Sequence, residues 1–256
     1  MQERRKVILK ELEQNGYVRV STLSQLLQCT EMTIRRDLSE IAEEGLLKRT
    51  HGGAVKIGNN FVTDNVKDLL YSNLHRKIYI SKIAYNMIDD QDTIFLDDAT
   101  TCLYLAGEIK KNVTKSVNVI TNSILLASEL MQTAHVTLKM IGGDAAANLS
   151  ATVGPEALEQ IRKYRADKAF IGVNGIDFQK GITGIGYPQM EIKQAMLGHA
   201  EKIYILADSS KFGYTYLSHI CQLDEVTAIL TDSDLRAAYK AEIQKYQYPV
   251  IWKIEE

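Results

Sequence analysis

The chain has 256 residues, 45% hydrophobic and 24% charged, with 30 Lys/Arg against 32 Asp/Glu for a formal charge of −2. That length can bury a full core in one large or two smaller domains, and the composition is ordinary for a globular protein. No apolar run approaches the ~18 residues of a membrane span, and Met1-Gln2-Glu3-Arg4-Arg5 lacks the apolar centre of a signal peptide, so a cytoplasmic location is expected.

Cys29, Cys102 and Cys221 are widely spaced, form no CxxC pair and are expected as free thiols. Residues 1–57 hold ten Lys/Arg and eight Asp/Glu, and residues 58–256 hold twenty and twenty-four. The asymmetry has the right sign for a nucleic-acid contact near the N-terminus, but it is too small to establish one.

Val7, Ile8 and Leu12 recur at helical spacing, which predicts a helix over 2–14 ended by Asn15-Gly16. Tyr17-Val18-Arg19-Val20 is β-prone. Ser21 is then expected to cap a short helix, Thr22 to Gln28, that buries Leu23, Leu26 and Leu27. Cys29-Thr30 makes the turn. Thr30 is the expected cap of a third helix from Glu31 to about Glu44, ended by Gly45. Ile34, Leu38 and Ile41 fall on one stripe of it, so Thr33 and Arg36 project away, with Arg35 to one side. Leu46–Arg49 and Ala54–Ile57 read as strands around the turn His51-Gly52-Gly53.

Three helices followed by a hairpin make a winged helix-turn-helix over residues 1–57. A helix N-terminus with Thr and Arg suits the major groove, where Arg reads guanine and Thr meets phosphate or the thymine methyl. A wing tipped by glycines lets the backbone approach phosphate, with Lys48, Arg49 and His51 supplying charge beside Gly52. Ser21 and Thr30, at the starts of the second and third helices, complete the set expected to face DNA. The helix pattern alone equally suits a small protein-interaction domain with a solvated Arg35-Arg36 pair.

Residues 30–55, TEMTIRRDLSEIAEEGLLKRTHGGAV, closely resemble the N-terminal domain of the DeoR-type bacterial transcription regulators. The T-I-R-R-D-L helix motif (Thr33 to Leu38) and the wing motif (Gly45 to Ala54) occur together at matching spacing. The resemblance implies double-stranded operator DNA as a partner.

Residues 58–75 begin Gly58-Asn59-Asn60, show weak periodicity and are expected to be a linker. From residue 76 to 256 strands and helices alternate. Strands are expected near 93–96, 118–121, 136–141, 168–173, 202–207, 226–230 and 249–253, and helices at 76–89, 102–111, 123–132, 154–163, 188–199 and 233–244. This is an α/β class with a largely parallel sheet.

Most of these strands end in small polar or acidic residues, where open α/β sheets bind ligands. Ala99-Thr100-Thr101 at a helix N-terminus suits a phosphate. Asp98 and Asp208 are placed to accept from sugar hydroxyls, and Lys211 or Lys193 to neutralise phosphate. Each loop taken singly is also explained by capping and turn formation. Gly184-Ile185-Gly186 lacks G-x-G-x-x-G, and His135, His199 and His219 stand alone, so neither cofactor nor metal is expected.

This half also resembles the DeoR-type family, through LDDATT (96–101), ITNS (120–123), IGGD (141–144), VGPEA (153–157), DKAFIGVNGID (167–177) and ADSSKFG (207–213). The resemblance implies a ribose-5-phosphate isomerase-like fold and a sugar-phosphate effector, held by Asp98, Thr100, Thr101, Asn122, Gly143, Gly172, Lys193 and Lys211. Two positions depart from the family pattern. Ala99 replaces a Gly in the phosphate loop, and Gln189 replaces a Glu four residues before Lys193, with Glu191 nearby.

The expected function is a repressor of sugar-metabolism genes, controlled by a sugar phosphate and acting as a dimer or tetramer on repeated half-sites. The alternative is an isomerase-like enzyme with an appended DNA-binding domain. Asp98, Asp208 and Glu191 are its candidate bases, though nothing in the sequence pairs them. A third reading is an architectural DNA-binding protein whose α/β domain only oligomerises.

Overall fold

The computed structural model describes residues 2–15, 17–44, 46–50, 53–56 and 66–252, giving backbone alone at 2, 3, 13–15, 17, 19, 48–50, 55, 56, 67 and 68. The chain divides into two compact units, Met1–Val62 and Thr63–Glu256.

The first unit runs α1 (Gln2–Asn15), β1 (Tyr17–Arg19), α2 (Val20–Leu26), α3 (Glu31–Glu43), β2 (Leu47–Thr50) and β3 (Gly53–Lys56). Ile34, Leu38 and Ile41 are at most 1% exposed and meet Ile8, Leu12 and Leu23 in one core. Burying each such side chain is worth roughly 1.5–3 kcal/mol. The strands form an antiparallel sheet in the order β1-β3-β2. The hairpin lies one residue from its expected bounds on each strand. Asp37 is buried and accepts from Arg4 Nε at 2.8 Å and Nη2 at 3.3 Å, which fastens α1 to α3.

Two expectations for the second helix are corrected. Ser21 lies inside α2 and does not cap it, because the helix starts at Val20, which is 2% exposed and joins the core. Leu26 is 55% exposed, and the buried side is made by Val20, Leu23 and the partly buried Leu27, a slightly rotated stripe. The expected helix ends at Gly16 and Gly45, the wing residues His51 and Gly52, the linker over 58–65 and the last strand residue Lys253 lie outside the described residues.

The second unit begins with α4 (Val66–Tyr71) and α5 (Leu74–Asn86). It continues with β4 (Thr93–Leu96), α6 (Thr100–Lys111), β5 (Val117–Thr121), α7 (Ile124–Leu130), β6 (Val136–Met140), β7 (Asp144–Ala146), β8 (Ala151–Val153) and α8 (Pro155–Arg162). Then come β9 (Ala166–Gly172), β10 (Gly175–Asp177), β11 (Gly181–Gly184), α9 (Tyr187–Leu197), β12 (Ala200–Leu206), β13 (Ser218–Cys221), β14 (Ala228–Leu230), α10 (Ala237–Tyr246) and β15 (Val250–Ile251). The linker expected over 58–75 is corrected at its C-terminal end, since Val66–Tyr71 is helical and α5 has begun by Leu74.

Seven strands form a parallel sheet in the order β15-β14-β12-β9-β4-β5-β6. Successive strand residues serve opposite faces. Ile94, Leu96, Phe170, Tyr204 and Leu206 pack with α5, α6 and α7, while Phe95, Ala169, Ile171 and Ile205 pack with α8, α9 and α10. From β4 the chain builds outward through β5 and β6, and from β9 it builds the other way through β12, β14 and β15. The order reverses between β4 and β9, and such a switch point leaves a crevice beyond the strands' carboxyl ends. A second sheet, β10-β11-β13, and the hairpin β7-β8 were not expected, because their strands of three or four residues are Gly-rich or carry no alternation.

Candidate functional site

In the first unit the outward side of α3 is built by its cap. Thr30 adopts an extended backbone (φ −69°, ψ 151°) and its Oγ1 accepts from Thr33 N at 3.2 Å. The two hydroxyls lie 2.9 Å apart. Met32, Thr33, Arg35, Arg36 and Ser39 line one shallow depression on this face. Arg35 reaches Glu31 at 3.1 Å and Arg36 reaches Glu40 at 3.6 Å, both one turn away along the helix. Exposed pairs of this kind contribute about 0.3–0.5 kcal/mol, so a phosphate or guanine can readily displace the carboxylates. Met32, 76% exposed, had not been picked out. Its signal is a large apolar residue out of phase with the Ile34–Leu38–Ile41 stripe. Lys48 and Arg49 lie on β2, one strand of the hairpin.

In the second unit a pocket opens at the switch point. Asp98, Thr100, Thr101, Gly172, Lys193, Asp208 and Lys211 all line it, drawn from the ends of β4, β9 and β12 and from α9. The first turns of α5, α6 and α9 supply Lys77, Thr100, Thr101 and Gln189, so helix N-termini converge on the space. The extended Ala99 starts α6 and makes no side-chain cap.

Charge in the pocket is organised by Asp97, which sequence reasoning passed over in favour of its neighbour. Asp97 is fully buried and takes hydrogen bonds from Ala99 N at 2.9 Å, Gly172 N at 2.9 Å, Cys102 Sγ at 3.0 Å and Lys193 Nζ. Its signal is position: it continues the buried run of β4. Lys193 also lies 3.6 Å from Asp98 Oδ1. Burial pulls the Lys193 ammonium down, but Asp97 and Asp98 outweigh it and hold the pKa above the usual lysine value. Asp98 is pushed up by its burial and by Asp97, against Lys193 and a hydrogen bond from Gln189. Gln189 Nε2 donates to Asp98 Oδ2 at 2.5 Å, whereas Asp98 Oδ1 is buried without a hydrogen-bond partner among the described residues. The Gln at 189 thus has a local reason: a Glu there would set a second carboxylate against Asp98.

Ala99 also has a local reason. Its backbone conformation (φ −69°, ψ 144°) is ordinary for an L-residue. Its methyl fills the space beside Gly172, where any Cβ would overlap it. Asp208 Oδ1 accepts from Ser210 N at 2.9 Å, from Ser210 Oγ and from Asn73 Nδ2 at 3.2 Å. The half-buried Lys211 side chain has neither ion-pair nor hydrogen-bond partner among the described residues.

Asn122 and Gly143, also expected to hold the effector, are not among the pocket's lining residues. Asn122 is 1% exposed, and its Nδ2 donates to Thr152 O at 2.9 Å while its own carbonyl accepts from Thr152 N at 2.9 Å, tying β5 to β8. Gly143 has φ +135°, and a Cβ there would stand 2.6 Å from Val153 O and 3.0 Å from the Ala157 side chain. Both residues serve close packing at the β7-β8 hairpin. The pocket gains Val66, Leu69, Ser72, Lys77 and Asn174, which had not been expected. Lys77 had a signal: His75-Arg76-Lys77 puts basic residues at the end of α5 where the helix dipole disfavours them. Among the described residues there is no group of three His, Cys, Asp or Glu able to hold a metal, and no helix long and apolar enough to cross a membrane. The three cysteines are free.

Residues 4–59 match the family model described as a DeoR-like helix-turn-helix domain, and residues 72–233 match that of the DeoR C-terminal sensor domain. The chain is 33% identical over 232 residues to the HTH-type transcriptional regulator FruR of Bacillus subtilis, covering 91% of each protein. It is 33% identical over 243 residues to the lactose phosphotransferase system repressor of Staphylococcus epidermidis, covering 92% of this chain and 94% of that one. Among solved structures, ribose 5-phosphate isomerase A from Methanocaldococcus jannaschii is similar at 18% identity and a TM-score of 0.41, over 55% of each chain.

Proposed function

We propose a function from the premise that this chain belongs to the DeoR family of transcription regulators: it is a repressor of sugar-metabolism genes whose grip on operator DNA changes when a sugar phosphate enters the switch-point pocket. One observation carries the reading. The pocket pairs a half-buried lysine, Lys211, with the open N-terminus of α6 and with a buried carboxylate oxygen, Asp98 Oδ1, that lacks a hydrogen bond among the described residues. The first two suit a phosphate, and the third suits a hydroxyl donor.

In this reading Thr100 and Thr101 receive the phosphate with Lys211, while Asp98 and Asp208 take sugar hydroxyls. Lys193 keeps Asp97 and Asp98 in place more than it serves the phosphate, since its charge is already matched by theirs. Gly172 lines the pocket through its backbone, its missing Cβ leaving room for the Ala99 methyl. On the DNA side Thr33, Arg35 and Arg36 read the major groove with Met32 beside them, Thr30 sets the helix start, and Lys48 and Arg49 contact the backbone from the wing. His51 and Gly52 keep their proposed role at its tip. A single recognition helix spans few base pairs, so a homo-oligomer on repeated half-sites is part of the proposal. A non-enzymatic role is supported by the likeness to proteins named as transcription regulators and repressors.

Gel shifts of the protein's own promoter region at low salt test the reading, with pentose and hexose phosphates added one at a time and the unphosphorylated sugars as controls. At least one phosphate should change the retarded fraction where its sugar does not. No retardation at all would remove the DNA role, and retardation indifferent to every phosphate would remove the sensor role.

A further inference from the structure

The segment just before α5 has more to do than connect. Val66 is 5% exposed, and Val66, Leu69 and Ser72 all line the pocket. The segment is tied down at three points, each by a side chain of the sensor unit. Lys77 Nζ donates to the Leu69 carbonyl and lies 3.5 Å from Ser72 Oγ. Tyr104 Oη, from α6, donates to the Leu70 carbonyl at 2.8 Å. Asn73 Nδ2 donates to Asp208 Oδ1 at 3.2 Å and lies 3.3 Å from Ser210 Oγ. Asn73 itself has φ +52°, a left-handed conformation between α4 and α5. Tyr71, between these ties, is 77% exposed.

Two of the three ties are therefore made by groups that face the ligand space. Lys77 is a buried cation in the pocket lining, and Asp208 is a carboxylate in the same lining. The Leu69 carbonyl offers the Lys77 ammonium a neutral acceptor, whereas a phosphate oxygen adds the attraction of an opposite charge in a poorly solvated site. A phosphorylated ligand within reach of Lys77 competes directly with the Leu69 carbonyl. A ligand hydroxyl on Asp208 competes with Asn73.

We propose that Lys77 is a ligand-contacting residue of this pocket and that Val66–Asn73 is a strap which a bound sugar phosphate loosens by taking over its ties. This rests on the pocket being the sugar-phosphate site. The strap stands first in the sensor unit, directly after the chain crosses from Met1–Val62 into Thr63–Glu256, so its release alters the segment through which the two units are joined. Occupancy is thereby converted into a change in backbone constraint at the link.

The experiment is amide hydrogen exchange on the full chain, run beside thermal shifts, with fructose 6-phosphate, ribose 5-phosphate and inorganic phosphate as probes. A probe that raises the melting temperature should speed exchange in peptides covering 66–73 about tenfold, the worth of one hydrogen bond to a charged group, while slowing it at 97–101 and 207–211. A raised melting temperature with unchanged exchange at 66–73 overturns the strap and leaves the pocket reading standing. No thermal shift with any probe overturns both. Lys77→Met should give fast strap exchange without a probe and a smaller further change with one, since only the Asn73 tie is left to release. Should that variant not fold, Tyr104→Phe keeps the test, since it removes one strap tie outside the pocket lining and should accelerate the basal exchange. Lys211→Met should lose the thermal shift and keep the basal strap exchange of the parent. If Lys77→Met leaves strap exchange at the parent rate, Lys77 does not hold the strap.

Discussion

Arg36 is 64% exposed and leans on Glu40 alone among the described residues, so its guanidinium contributes little to the fold. Arg36→Ala should abolish the gel shift, move the melting temperature hardly at all, and leave the thermal shift with sugar phosphate intact. Loss of both bindings together would mean that the arginine supports structure. Asp37, one residue on, has the opposite character. It is buried and doubly hydrogen-bonded to Arg4, which explains why an acidic residue stands in a helix meant for DNA. The sequence does not tell which arginine Asp37 holds, because Arg4 and Asp37 are 33 positions apart.

Between elements, the end of β9 fits closely against the loop leaving β4. Gly172 donates its N–H to Asp97 and has no room for a Cβ beside the Ala99 methyl. Gly172→Ala should cost about 1–3 kcal/mol by overpacking. Adding Ala99→Gly should recover most of that loss, and urea unfolding of the two single variants and the double one measures it. Simple additivity of the two changes would show that the methyl contact is not the source of the cost. From the sequence, Ala99 is only a departure from the family's glycine; in three dimensions it is half of a complementary pair. Gln189 follows the same logic with Asp98. Neither partner is near in sequence, so periodicity and spacing carry no trace of the pairing.

For the molecule as a whole, the buried titratable groups set an alkaline limit. Burial pushes the Cys221 thiol from an ordinary 9.0 up to about 12, with Glu225 and Asp224 adding to the effect. Above pH 9 the unfolded chain releases this proton and the folded chain keeps it, so stability falls as pH rises through the window from 9 to 12. Lys193, raised by its two carboxylates against its burial, adds a loss as pH climbs through and beyond the ordinary lysine range, since the stability it contributes is complete only below that range. Melting temperature against pH should therefore drop steadily on the alkaline side, and Cys221→Ala should make the drop shallower. An unchanged slope in that variant would remove Cys221 as a cause.

Local rules were enough for much of the architecture. Apolar residues every third or fourth position, a Thr cap at Thr30 and a Gly-rich hairpin specify the helix-turn-helix, and the long strands of the α/β half are written as apolar runs between capped helices. These features depend on neighbours within a turn or a strand, and such interactions are encoded where they act. The tertiary structure alone decided which loops meet. Asp98, Thr100, Thr101, Gly172, Lys193, Asp208 and Lys211 converge because strand order reverses between β4 and β9, whereas Asn122 and Gly143, equally plausible by motif, are drawn into packing beyond β5 and β6. Lys77 and the strap over 66–73 entered the pocket for the same reason: a segment without periodicity of its own takes its conformation from the groups it folds against.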